Sequence, residues 1–160
     1  MMSVGFSSSC VWASYLQSTR AVACANRCLA SNTPDVMLIL IGANDIGRGR
    51  DPFQVATNDM ATLLSIIFSN APNVYVGLAK ITSLQNGNAG GLPYGNYATN
   101  VPIYNANLQN LVNQRRTLGQ KVFLADMYSA VDYNTMFFGD HVHPNSLGLQ
   151  AIAKEWLARL

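Results

Sequence analysis

Val36-Met37-Leu38-Ile39-Leu40-Ile41 is an unbroken apolar run, stopped upstream by Asn32-Thr33-Pro34-Asp35 and downstream by Gly42. A run this short, with no polar residue at alternate positions, suits a strand buried on both faces, as in a parallel sheet. Val74-Tyr75-Val76-Gly77-Leu78-Ala79 and Lys121-Val122-Phe123-Leu124-Ala125-Asp126 repeat the pattern. The segments between them have helical spacing. Residues 53–69 carry Ala56, Met60, Leu63, Leu64 and Ile67 on one face. Residues 101–118 carry Tyr104, Leu108, Leu111, Val112 and Arg115, with Gly119 as a stop. A helix over residues 10–31, with Trp12, Leu16, Ala23 and Leu29, is expected ahead of the first strand. Another is expected from Asn145, as its cap, to Leu160, with an apolar stripe at Leu149, Ile152, Ala153, Trp156, Leu157 and Leu160. Strands alternating with helices predict an α/β fold with a parallel sheet and right-handed crossovers. The 160 residues, without repeat or linker, predict a single domain.

Composition narrows the class of partner. Net charge is +2 and charged residues make up 11% of the chain, against about 25% in an average soluble domain. That leaves no basic footprint for nucleic acid. No apolar run approaches the roughly 20 residues that span a bilayer, so no membrane partner is expected. Met1-Met2-Ser3-Val4-Gly5-Phe6 has neither the positive start nor the long apolar stretch of a signal peptide. The compartment is left open. Cys10, Cys24 and Cys28 are an odd set. Cys24 and Cys28, one helical turn apart, read first as small residues filling a helix contact, and a disulfide from Cys10 to one of them is the alternative. With no CxxC pair and two histidines, no metal site is expected.

Residues 82–100 form a long polar stretch rich in Gly and Asn, with Tyr94 and Tyr97. Loops of that length in small domains are more often functional than idle. It is expected to border a ligand cleft. Residues 127–143 are read as a second loop.

Two motifs carry chemistry. Asp140-His141-Val142-His143-Pro144 places a carboxylate three residues before an imidazole. That spacing lets Asp140 reach His143 on one turn, fix its tautomer and stabilise the imidazolium. Pro144 pushes His143 off the following helix into an extended conformation. His141 competes with His143 as the active imidazole. The other motif, Gly42-Ala43-Asn44-Asp45, follows the first apolar strand. Working residues of parallel sheets gather at the strands' carboxyl ends, and the Asn44 amide there could donate to a developing oxyanion.

On these residues the chain resembles the SGNH, or GDSL-type, hydrolases. Gly42-Ala43-Asn44-Asp45 is similar to the family's third block, whose Asn is an oxyanion-hole donor. Asp140-His141-Val142-His143 is similar to the fifth, which supplies the triad Asp and His. Pro34-Asp35-Val36, Tyr104-Asn105-Ala106-Asn107-Leu108, Asp126-Met127 and Trp156 resemble the branch of carbohydrate esterases that deacetylates xylan. The resemblance spans residues 34–160. It implies a three-layer, flavodoxin-like fold and a serine esterase without cofactor, acting on a small or glycan ester. His143 and Asp140 would be the catalytic pair, with Asn44 and Gly42 at the oxyanion.

The chain departs from the family where the nucleophile should be, since no Gly-Asp-Ser occurs. Gly5-Phe6-Ser7-Ser8-Ser9 admits two alignments. As a degenerate first block it makes Ser7 the nucleophile, but only 36 residues then separate Ser7 from Asn44. As the second block it leads through one helix into the first apolar strand. Ser8 then stands where the family has a glycine whose N–H serves the oxyanion. The spacing favours this second alignment. It implies a domain lacking its N-terminal strand and nucleophile, and a first strand with an unpaired apolar edge prone to self-association. The competing expectation to an active esterase is therefore a truncated or degenerate, non-catalytic relative that binds glycan or needs a missing N-terminal segment.

Overall fold

The computed structural model describes residue 29, residues 33–85 and residues 96–160. Of the helix expected over residues 10–31, only Leu29 is among them, helical and buried. The three cysteines, Ser7, Ser8 and Tyr94 lie outside the described residues.

The described chain runs β1 (Val36–Ile39), α1 (Ala43–Gly47), α2 (Pro52–Gln54), a π-helical turn (Val55–Asp59), α3 (Met60–Asn70), β2 (Tyr75–Ala79), α4 (Tyr97–Thr117), β3 (Val122–Ala125), α5 (Met127–Ala130) and α6 (Ser146–Leu157). The strands form a parallel sheet in the order β1-β2-β3. Leu38, Gly77 and Phe123 are in register across it. The expected α/β architecture is therefore present. Among the described residues no helix is long and apolar enough to cross a membrane.

One core fills the space between the sheet and the long helices. Met37, Ile39, Val76, Leu78 and Val122 meet Leu64, Ile67, Tyr104, Leu108 and Val112 there. Arg115 crosses between helices, its Nη2 donating to the Ala61 carbonyl at 2.6 Å and Ser65 Oγ at 3.0 Å. On the other face, α6 covers β3: Trp156 sets its ring edge-on to Phe123, centroids 6.3 Å apart, and Ile152 packs over Ala79 and Ala125.

The sheet departs from the sequence reading in burial. β2 is buried on both faces beyond Tyr75, as expected, but β1 alternates. Val36, Leu38 and Leu40 are 43%, 40% and 37% exposed. β1 stands at the end of the described sheet, and α6 reaches only its far side. Likewise α6 does not bury its whole stripe. Ile152 and Trp156 are half-buried, whereas Leu149, Leu157 and Leu160 face solvent. Periodicity records which residues share a face, not whether anything covers it.

α4 begins at Tyr97, four residues before the expected start. Tyr97, Val101, Tyr104 and Leu108 fall at steps of four, three and four and are all buried. This burial outweighs the single backbone bond that Pro102 cannot donate. Tyr97 is thus a core residue and does not border a cleft, contrary to the expectation from the polar stretch. A second correction is smaller: residues 127–130 form the short helix α5 rather than loop.

Candidate active site

The Asp140–His143 turn is closed by its own polar groups. Asp140 Oδ1 accepts the backbone N–H of Val142 at 2.9 Å and of His143 at 3.0 Å. Its Oδ2 lies 2.6 Å from His143 Nδ1. The carboxylate thus holds both the backbone that carries the imidazole and the imidazole itself. These contacts, the His143 N–H first, then the Val142 N–H, then the imidazole, hold the Asp140 carboxyl far below the usual carboxylate range. With Nδ1 committed to Asp140, Nε2 is the nitrogen left to act. The His143 side chain is 74% exposed, so the ring is open to a ligand.

The turn is fastened to α6. The Phe138 N–H donates to the His143 carbonyl at 2.9 Å and the Asn145 N–H to the Met136 carbonyl at 3.0 Å, which pairs Phe137 with Pro144 as a short antiparallel bridge. Asn145 then works in two directions. Its Oδ1 caps α6, accepting from Leu147 and Gly148 N–H. Its Nδ2 donates back to the Thr135 and Phe137 carbonyls at 3.0 and 3.1 Å. Gly148 is needed for this approach, because a Cβ there would meet the Met136 carbonyl oxygen at 2.3 Å.

Asn44 sits in α1, just beyond β1, with its side chain exposed. Because the strands are parallel, this loop and the residues following β3 leave the same edge of the sheet. The loop enters α1 through Gly42, at φ 108°, a backbone that L side chains rarely adopt. Gly42 is buried under the Tyr104 ring, which would lie 2.9 Å from a Cβ at this position. The Tyr104 hydroxyl donates to the Ile41 carbonyl at 3.0 Å. Burial, with the nearby charge of Asp45, raises the tyrosine's pKa far enough that it stays a neutral donor. Asn105, next on the same helix, clamps the corresponding loop after β2: its side chain accepts the Ile81 N–H at 2.8 Å and donates to the Ile81 carbonyl at 3.0 Å. Below Asn44, Asp45 is buried and accepts Arg50 Nη1 at 3.1 Å, and Arg50 pairs also with Asp59. Burial pulls the guanidinium pKa down, but hydrogen bonds to Asp59 and Asp45 outweigh it and the net direction is up.

Asp140 and His143 are therefore brought into contact, and Asn44 and Gly42 stand on one loop at the carboxyl edge. Ser7 and Ser8 lie outside the described residues. His141 is not held by the carboxylate. It takes a left-handed backbone, φ 56°, which costs a non-glycine residue about 1–2 kcal/mol, and its ring stacks on Tyr133 at 5.3 Å and 28°. Sequence reasoning placed Tyr104 on a helix face, marked it and Asn105 as site-related only through the resemblance, and gave no role to Arg50, Asp59, Gly148 or Tyr133. No spacing rule points to them, because their partners lie in short helical segments and turns: Arg50 pairs with Asp45 and Asp59, Gly148 meets Met136, and Tyr133 stacks on His141.

Comparison with known proteins gives the family and the fold. Residues 11–156 match the GDSL-like lipase/acylhydrolase family. A multidomain esterase of Ruminococcus flavefaciens is 30% identical over 129 residues, covering 80% of this chain and 16% of that protein. The solved structure of a family 3 carbohydrate esterase from Talaromyces cellulolyticus superposes with a TM-score of 0.73 at 23% identity, covering 92% of this chain and 66% of that one. A family 3 carbohydrate esterase from Clostridium thermocellum gives 0.68 at 24% identity, with 86% and 61% covered. The chain thus spans less than two thirds of the length of each of these relatives.

Proposed function

This chain belongs to the GDSL-like lipase/acylhydrolase family, and we propose that it hydrolyses carboxylic esters of carbohydrate, removing acetyl groups with a Ser-His-Asp mechanism. The observation that carries the reading is the 2.6 Å contact between Asp140 Oδ2 and His143 Nδ1. That contact orders the imidazole and leaves Nε2 to handle protons.

In the first step a serine Oγ attacks the ester carbonyl carbon while His143 Nε2 takes the hydroxyl proton. The charge that forms on the carbonyl oxygen is met by the Asn44 side-chain amide, on a loop whose Ile41 and Asp45 are held by Tyr104 and Arg50. Collapse of the tetrahedral intermediate breaks the bond to the sugar oxygen, which leaves with the proton from His143. Water then attacks the acetyl-enzyme with His143 as base, and acetate departs. Asp140 stays ionised throughout and stabilises the imidazolium. Ser7 is that nucleophile only under the alignment that makes Gly5-Phe6-Ser7 a degenerate first block; under the alignment that the spacing favours, it is not.

The purified chain should be incubated with an acetylated xylo-oligosaccharide and, separately, with a fluorophosphonate, then digested and the label mapped. Acetate release is the result expected of a competent chain, and a label on Ser7 would establish the degenerate first-block alignment over the one the spacing favours. Absence of both would favour a non-catalytic member of the family that binds glycan.

A further inference from the structure

The esterase reading leaves one feature beside the dyad unused. His141 lies between Asp140 and His143, is exposed, and holds a left-handed backbone where glycine would fit freely. Its ring rests on Tyr133, and Tyr133 leans in turn on the buried Phe137 at 5.7 Å. The outcome is a row of three rings running from core to surface and ending in an open aromatic face. Phe138, 55% exposed, belongs to the same turn. His141 and His143 are two residues apart, so their Cα atoms are within about 7 Å. A sugar whose ester meets His143 has this face within reach of its ring. The carboxylates of Asp132 and Asp140, next to Tyr133 and His141 in the chain, disfavour an anionic ligand.

We propose that the stacked His141–Tyr133 pair is a binding platform for a neutral pyranose ring of the substrate, and so sets the preference for glycan esters over simple alkyl esters. The platform works through ring faces: apolar C–H groups of the sugar lie on the imidazole, whose orientation Tyr133 fixes. This proposal rests on the esterase reading.

The test compares kcat/KM for acetylated xylotriose with kcat/KM for ethyl acetate, in the wild type and in His141→Gly. Glycine suits the left-handed backbone, so the turn is kept while the ring is lost. The ratio of the two constants should fall about tenfold, mainly through KM for the sugar ester, and His141→Phe should recover most of it. In parallel, xylotriose titrated into the wild type should shift the ring resonances of His141 and Tyr133 saturably, and the Tyr133 shift should vanish in His141→Gly. An unchanged ratio in His141→Gly, or no saturable shift at either ring, would overturn the platform. Failure of the esterase reading has a different signature, namely no turnover of either ester or turnover indifferent to His143→Ala. The ring titration still decides the platform in that case.

Discussion

Asp140 keeps its charge because two backbone N–H groups and an imidazole share it. Replacing it with Asn preserves an acceptor for the backbone but offers no charge to the imidazolium. Asp140→Asn should lower kcat by about 10²–10⁴ with little loss of fold, as steady-state kinetics beside circular dichroism would check. Its pH signature follows from the depressed pKa. The stabilisation is complete above the ordinary carboxylate range and is lost as pH falls through the lower, folded-state value. Because the carboxylate is well exposed, the effect is small. Thermal melts of wild type and Asp140→Asn should therefore differ slightly at neutral pH and converge in strong acid. The pair itself was legible in the sequence, since a spacing of three is a local fact. The strain at His141 was not, because one sequence does not record which residue adopts positive φ.

At the scale of elements, side chains on two helices hold the site loops. α4 holds the loop after β1 through Tyr104 and the loop after β2 through Asn105. Tyr104→Phe leaves the partly buried Ile41 carbonyl without this donor and should cost about 1 kcal/mol in denaturant unfolding. If Asn44 serves the oxyanion, the same variant should lower kcat more than it raises KM. α6 holds the Asp140–His143 turn through Asn145. Asn145→Ala removes a cap worth about 1 kcal/mol together with two bonds to the residue 135–137 backbone. It should lower both the melting temperature and kcat. The elements themselves were readable from apolar runs and helical spacing, and Asn145 was readable as a cap. What escaped was tertiary: the early start of α4 at Tyr97, where burial overrides a proline, and the backward bonds of Asn145.

For the whole molecule, the described sheet is covered unevenly. α3 and α4 fill one face, while on the other α6 covers β3 and leaves Val36, Leu38, Leu40 and Tyr75 open. The sequence indicated the apolar strand but not which side of it would face solvent. A contiguous apolar strip of this kind favours association. Val36→Lys, at a position 43% exposed, should raise the concentration at which the chain stays monodisperse in light scattering. It should move the melting temperature by only a few degrees, since exposed positions contribute within about 0.5 kcal/mol. The three parallel strands also bring the Asn44 loop and the residues after β3 to one edge. The proposed chemistry requires that an amide donor and an acid-steered imidazole share a carbonyl at this edge. The most direct test is acetate release from an acetylated xylo-oligosaccharide by the wild type and by His143→Ala at equal concentration. Loss of about 10³-fold or more in kcat for the variant, with an unchanged melting profile, is the predicted result. Turnover that survives His143→Ala undiminished would contradict the mechanism.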